Sequence, residues 1–316
     1  MQNSFKIKIL LACYNGEKYI STQLDSIINQ TYLNWEMFIS DDGSTDNTVA
    51  IVNEYCKKDN RIHTINEGLT KQGACQNFGN LLKTALDIEW DFVMFADQDD
   101  FWYENKIQLT LDSMLDGGNF NKVPKLVYTD FEYADDQLNP LPKETDHNIS
   151  AWKEPTLQRL LAQNNIYGCT MMINRLLAEK AIPIPSSAEN HDYWVSMVAA
   201  SLGEIVHIKK RTILYRQHSN NVSGHYSNNS FKKRFQRYYK RNAQLEKMMR
   251  MRFEMAGELH NRFYKDISEP NQKLLLGYSN FENQNGIERV SFCFKKGIEK
   301  DSFLQSLAFY YLLLRM

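Results

Sequence analysis

Over the first hundred residues the apolar positions switch repeatedly between two periods. Ile7-Lys-Ile-Leu-Leu-Ala-Cys13 alternates and then runs fully apolar, which predicts a buried strand. Tyr14-Asn15-Gly16-Glu17 breaks it, and Ile20, Leu24, Ile27 and Ile28 then recur at helical spacing, predicting a helix over 19–29. Trp35-Glu-Met-Phe-Ile-Ser40 reads as a second strand. It stops at Asp41-Asp42-Gly43-Ser44-Thr45-Asp46, where Thr45 or Asp46 caps a helix over 47–58. A short third strand over 61–65, a loop over 66–73, a helix over 74–86 and a fourth strand over 92–96 follow. Strands alternating with helices across short connections predict a doubly wound, mostly parallel α/β sheet.

Each of these strands ends in polar residues: Tyr14-Asn15, Asp41-Asp42, Asn66 and Asp97-Gln98-Asp99. Such a sheet binds ligands outside the carboxyl ends of its strands, so the four tips predict one crevice. The fourth tip, Asp97-Gln98-Asp99-Asp100-Phe101-Trp102, holds three carboxylates within four residues. Unpaired charges cost several kcal/mol each inside a strand, so these acids belong beyond its end. A divalent cation relieves their repulsion, and oxygen donors suit Mg²⁺ or Mn²⁺. A polar turn that caps a helix from about residue 103 accounts for the same stretch.

Past residue 100 the rhythm changes. Ile107, Leu109, Leu111, Met114 and Leu115 mark a helix closed by Gly117-Gly118, and 125–131 reads as a strand. A polar, proline-containing loop spans 133–150, with a helix over 156–163 and a strand over 167–173. Asn190-His191-Asp192-Tyr193-Trp194 opens a helix to about 201. Two strands, 204–208 and 212–216, precede a mostly helical end from 231. The expected division is a catalytic domain over 1–225, with a nucleotide half to about 100, and a helical, basic region over 226–316.

Composition narrows the class. At 43% hydrophobic and 24% charged, the chain is that of a soluble globular protein with a substantial core. Five cysteines without a C-x-x-C pair point to reduced thiols in a cytosolic protein. The first residues lack the apolar stretch of a signal peptide, and no run is long enough to cross a bilayer. With no G-x-G-x-x-G after the first strand and no P-loop, neither a dinucleotide redox cofactor nor a P-loop ATPase is supported. The net charge of -1 conceals an asymmetry: residues 231–316 hold 17 Lys and Arg against 9 Asp and Glu, and residues 1–230 hold 20 against 29. Phe231-Lys-Lys-Arg-Phe-Gln-Arg-Tyr-Tyr-Lys-Arg241 mixes cations with aromatics as an interfacial helix on an anionic membrane does. Phe303-Leu-Gln-Ser-Leu-Ala-Phe-Tyr-Tyr-Leu-Leu-Leu314 is a second apolar helix for a membrane or a homodimer. Packing on the catalytic domain is an equal alternative for both. No nucleic-acid-binding module is recognisable.

Ala12-Cys-Tyr-Asn-Gly-Glu17, Asp41-Asp-Gly-Ser-Thr-Asp46, Asp97-Gln-Asp-Asp-Phe-Trp102 and His191-Asp-Tyr-Trp194, in this order, resemble the signature series of the family 2 glycosyltransferases, which are inverting enzymes of GT-A fold. With Tyr215-Arg-Gln-His-Ser-Asn-Asn221 they resemble the bacterial rhamnosyltransferase branch of cell-wall rhamnan and O-antigen assembly, of the α-1,3 type. The resemblance covers residues 7 to about 224. It implies a nucleotide-sugar donor, dTDP-rhamnose in this branch, and a lipid-linked saccharide acceptor. The place of work would then be the cytoplasm, peripheral on the inner face of the plasma membrane. UDP- or GDP-hexose donors, or a silent nucleotide-sugar-binding protein, are the alternatives.

The roles implied are as follows. Asp192 is the general base, although the same residue type at a helix start serves as an N-cap. Asp97, Asp99 and His218 hold Mn²⁺ or Mg²⁺. Ala12, Tyr14, Asn15, Glu17, Asp42, Lys71, Asp97, Gln98 and Arg216 bind the nucleotide sugar, Asp42 through the imino N–H of the base. An Asx-turn explains Asp41-Asp42 equally well. His191, Tyr193, Trp194 and Trp102 contact the acceptor.

Overall fold

A computed structural model describes residues 4–65, 71–142, 153–218 and 242–316. Segment 231–241 lies outside the described residues. The centre is an eight-stranded sheet of β1 (Ile7–Cys13), β2 (Trp35–Asp41), β3 (Ile62–Thr64), β4 (Phe92–Asp97), β5 (Phe101–Trp102), β6 (Lys125–Ala134), β7 (Met171–Asn174) and β8 (Glu204–Arg216). Its order is β3-β2-β1-β4-β7-β6-β8-β5. The four strands read from the first hundred residues form the parallel half, with Cys13 level with Asp41 and Ala12 level with Asp97. All four chain directions agree, so the polar tips of β1, β2 and β4 emerge along one edge.

Helices α1 (Ile20–Ile28), α2 (Thr48–Lys58), α3 (Ala74–Ala85), α4 (Lys106–Leu115), α5 (Leu157–Ala162), α6 (Arg175–Ala181) and α7 (His191–Leu202) flank the sheet. Alternation along β1 divides the core: Ile7, Ile9 and Leu11 pack with α1, α2 and α4, whereas Leu10 joins α3, α5 and α7. Four more helices, α8 (Asn242–Phe263), α9 (Glu269–Ser279), α10 (Gly286–Lys296) and α11 (Phe303–Arg315), complete the described chain. Their buried residues, among them Phe253, Leu259, Tyr278 and Leu313, belong to the same cluster as Leu10 and α7.

The second half departs from expectation in several places, among them α6, which was not expected, and β6, which runs past 131 to Ala134. Residues 101–102 form β5, antiparallel to β8, so α4 starts at Lys106 rather than near 103. The two strands expected over 204–216 are one strand, β8, parallel to β6 with register shifts between Thr129 and Glu132. The strand expected over 167–173 begins with a 3₁₀ turn, Gly168–Thr170. The five cysteines are free thiols.

Candidate active site

The site starts where β1 ends. Asn15 has a left-handed backbone (φ 46°), which turns the chain sharply. The turn is stitched to the loop after β2. Asn15 N–H donates to Ser44 Oγ (2.8 Å), Thr45 N–H donates to Asn15 Oδ1 (2.8 Å), and Asn47 N–H donates to Glu17 Oε2 (2.9 Å). Gln98 does the same from β4, accepting from Tyr14 N–H (2.9 Å) and donating to Tyr14 O (3.0 Å). Gly16 lies so close that a Cβ would collide with the Gln98 amide. These contacts leave the ring of Tyr14 about half exposed at the crevice mouth.

After β2, Asp41 accepts from Gly43 and Ser44 N–H (3.0 and 2.8 Å), an Asx-turn. Asp42 is buried, and its two oxygens accept from Gln72 and Gly73 N–H (2.8 Å each). Its own carbonyl accepts from Lys71 N–H (3.0 Å). Asp42 therefore anchors the segment entering α3. Lys71 is exposed in a left-handed conformation (φ 59°).

The acids after β4 divide by depth. Asp100 is buried and accepts Arg216 N–H through Oδ1 (3.3 Å), while Asp97 and Asp99 keep partial exposure. Burial, then the charges of Asp99 and Asp192, push the Asp97 carboxyl well above its usual range. Burial, then Asp99 and Asp97, push Asp100 well above the usual carboxylate range too. Asp97, Asp100 and Cys169 bring ligand atoms within 4.8 Å of one another, but burial holds the Cys169 thiol protonated, so it is a poor partner for a hard cation. Asp99 Oδ2 lies 2.7 Å from His218 Nε2. The His218 ring stacks on Tyr19 (4.7 Å, 20°), and the Tyr19 hydroxyl donates to Asp136 Oδ1 (2.5 Å). Arg216 also lies over the Tyr19 ring, at 4.8 Å. It donates to the carbonyls of Asp99 (2.7 Å) and Asp136. Two partly exposed carboxylates, Asp97 and Asp99, with the His218 imidazole beside Asp99, make a donor set that fits Mn²⁺ or Mg²⁺.

Asp192 enters from the first turn of α7. Its Oδ2 accepts Gly168 N–H (3.0 Å) and its Oδ1 accepts Asn164 Nδ2–H (3.2 Å). Burial pushes it up to about 7, against the pull of these hydrogen bonds. Its charge reaches Asp97, so the two carboxyls share one field. His191 is buried, packed against Phe78 (4.1 Å) and Phe95 (5.0 Å), with Nε2 close to Gly168. Desolvation lowers it to about 3, leaving a neutral ring.

Comparison with known proteins decides the family. The family model "Glycosyl transferase family 2" matches residues 8–180. The dTDP-rhamnosyl transferase RfbG of Shigella flexneri is 33% identical over 237 residues, 72% of this chain and 77% of that protein. The chain belongs to glycosyl transferase family 2. It is a glycosyltransferase. Another member, the UDP-Glc:alpha-D-GlcNAc-diphosphoundecaprenol beta-1,3-glucosyltransferase WfgD of Escherichia coli, is 35% identical over 36% of this chain and 42% of its own length. Among solved structures, Staphylococcus aureus TarS 1-349 superposes with a TM-score of 0.56 at 18% identity, covering 92% of this chain and 80% of that one. The mannosyltransferase PcManGT of Pyrobaculum calidifontis, solved with GDP-Man and Mn²⁺, gives 0.56 at 15% identity over 93% and 75%. These likenesses show the GT-A fold.

Within this family 2 chain, most of the expected site residues separate into three groups; of the other two, Lys71 is exposed before α3, and His191, expected at the acceptor, is buried against Phe78 and Phe95. Tyr14 follows β1, Asp97 and Asp99 close β4, His218 follows β8 and Asp192 opens α7; Asp99 contacts His218, and Asp97 feels the charges of Asp99 and Asp192. Ala12, Asn15, Glu17, Asp42, Gln98 and Arg216 are held by contacts to the protein itself. Trp102, Tyr193 and Trp194 correct the acceptor assignment. They are buried, the Tyr193 hydroxyl donates to Leu160 O, Trp194 Nε1–H donates to Ala181 O (2.7 Å), and Lys106 lies over the Trp102 ring (4.8 Å). Aromatic bulk that reads as sugar-stacking surface is here core packing. Tyr19, Asp136 and Asn164 were missed, because they act from segments that carry no motif.

Proposed function

We propose that this chain is an inverting rhamnosyltransferase that moves L-rhamnose from dTDP-β-L-rhamnose to a lipid-linked saccharide, and that it works at the cytoplasmic face of the membrane holding that acceptor. The acceptor hydroxyl attacks C1 of the sugar as the bond from C1 to the diphosphate oxygen breaks. The leaving nucleoside diphosphate keeps the electron pair, and Asp192 takes the hydroxyl proton. One carboxylate suffices, since a single displacement forms no glycosyl-enzyme. Tyr14 offers an exposed ring for the nucleotide base. Asp97, Asp99 and His218 would hold Mn²⁺ or Mg²⁺, which when bound offsets the charge on the departing diphosphate.

The observation that carries this reading is the shared field of Asp97 and Asp192, with Asp192 raised to about 7 and braced by Asn164 and Gly168. The sugar rests on the RfbG relative. The test is a donor panel of dTDP-rhamnose, UDP-glucose and GDP-mannose with a lipid-linked acceptor. Rhamnose incorporation from dTDP-rhamnose is expected. Preference for either hexose donor overturns the sugar, and absence of transfer from every donor overturns the enzyme reading.

A further inference from the structure

The last two helices each turn apolar side chains to solvent. On α11, Phe303, Leu307, Tyr311 and Leu314 fall within about 100° of the helix circumference, and Phe303 is 77% exposed. On α10, Ile287 and Phe294 are 75% and 66% exposed. The helices are neighbours. The Phe294 ring lies 4.7 Å from that of Tyr310, and the Gly286 backbone abuts that of Leu314. Their opposite sides are committed to the core through Cys293, Phe309, Leu312 and Leu313. Six large apolar side chains on two neighbouring helices are thus about half exposed or more, a concentration of the kind that marks an interaction surface.

Charge decides between occupants. Lys295 and Lys296 follow Phe294, are exposed and form no ion pair among the described residues. The acids nearby are turned elsewhere. Glu299 binds Lys153 (3.3 Å) and Arg159 (2.9 Å), Asp301 accepts from Gln163 (2.5 Å), and Glu288 closes the cap at Asn285 (2.9 Å). A two-fold contact between copies would bring together two lysines from each against one exposed acid, Glu288, whose carboxylate is held at the Asn285 cap. An anionic surface accepts both features, apolar side chains below and ammonium groups at headgroup level. Helix α11 has 13 residues, about 20 Å, too short to cross a hydrocarbon core of about 30 Å. No described helix is long and apolar enough to span.

We propose that the α10–α11 face docks in the plane of an anionic lipid bilayer. It extends the reading of a lipid-linked acceptor, but its test needs no catalysis. The full chain is sedimented with vesicles of phosphatidylcholine alone and of phosphatidylcholine mixed with phosphatidylglycerol. The wild type is expected to follow the mixed vesicles, less so as salt is raised. Phe303→Ser with Leu307→Ser should weaken this about tenfold or more at unchanged Tm, and Lys295→Glu with Lys296→Glu severalfold. Equal binding of the serine variant, or no binding of wild type, overturns the proposal. So does a dimer in analytical ultracentrifugation that the serine variant dissociates without loss of vesicle binding. Donor turnover retained by a variant that has lost the vesicles leaves the transferase reading intact.

Discussion

Asp192 accepts a proton only when ionised, and its raised pKa places that requirement near neutrality. The protonated form dominates below about 7, so kcat/KM is expected to climb as pH rises through about 7 and to be lost below it, in a rate profile taken at saturating acceptor. Asp192→Asn keeps an oxygen for Gly168 N–H but takes no proton. Transfer should fall about 10²–10⁴-fold, with donor affinity by calorimetry unchanged. A variant that transfers at the wild-type rate removes Asp192 from the mechanism. Tyr19 invites a second comparison. Its ring supports His218 and its hydroxyl holds Asp136. Tyr19→Phe should retain most Mn²⁺ affinity and Tyr19→Ala should lose about 10-fold or more, read by Mn²⁺ electron paramagnetic resonance without substrate. Equal affinities would reduce Tyr19 to packing. That the acids after β2 and β4 gather beyond the strand ends was legible because unpaired charges do not fit inside a buried strand. Asp136 was not: its partners Lys18 and Tyr19 lie more than a hundred positions away, at 2.6 and 2.5 Å, and no local pattern marks it.

At the scale of elements, the start of α7 must be held so that Asp192 faces the acids. Gly168 contributes by what it lacks. A Cβ there would meet His191 Nε2 at 2.5 Å, and His191 is wedged between Phe78 and Phe95. Gly168→Ala is therefore expected to cost about 1–3 kcal/mol in denaturant unfolding and to depress transfer by displacing Asp192. His191→Ala placed behind it should restore part of the stability. A double variant that is merely the sum of two losses would break the argument. The same scale explains which elements were readable. Strands β1, β2 and β4 carry long apolar runs because both faces of the sheet are covered, and α1 and α3 keep clear periodicity. β5 has two residues, too few for any period, and exists through its pairing with Leu214 and Ile213. β8 carries Lys209, Lys210 and Arg211 on its exposed middle, which reads as a turn between two strands. The aromatics of His191-Asp-Tyr-Trp194 misled for a related reason, since composition does not record which side of a helix faces the sheet.

For the whole molecule, the last four helices share the core of the sheet. Leu10 and Phe95 of the sheet, Tyr193 of α7 and Phe253, Tyr278 and Leu313 of the last four helices form one continuous buried cluster. Polar contacts cross the same seam. Arg252 on α8 pairs with Glu189 (2.9 Å), donates to Ala162 O (2.6 Å) and lies over the Tyr193 ring (5.3 Å), and Tyr278 donates to Leu161 O (2.7 Å). Shared burial of this kind couples unfolding, so near- and far-ultraviolet circular dichroism should report one coincident transition. Arg252→Ala tests the seam directly. It leaves the Glu189 carboxylate largely buried without its partner and strips a carbonyl of its donor, a loss of about 3–5 kcal/mol where a buried pair is broken. Because Tyr193 follows Asp192 in α7, the variant should also lower transfer at temperatures where it remains folded. Two separate transitions, with transfer untouched until the second, would mean that the C-terminal helices are an independent module and that the seam carries no mechanical load to the base.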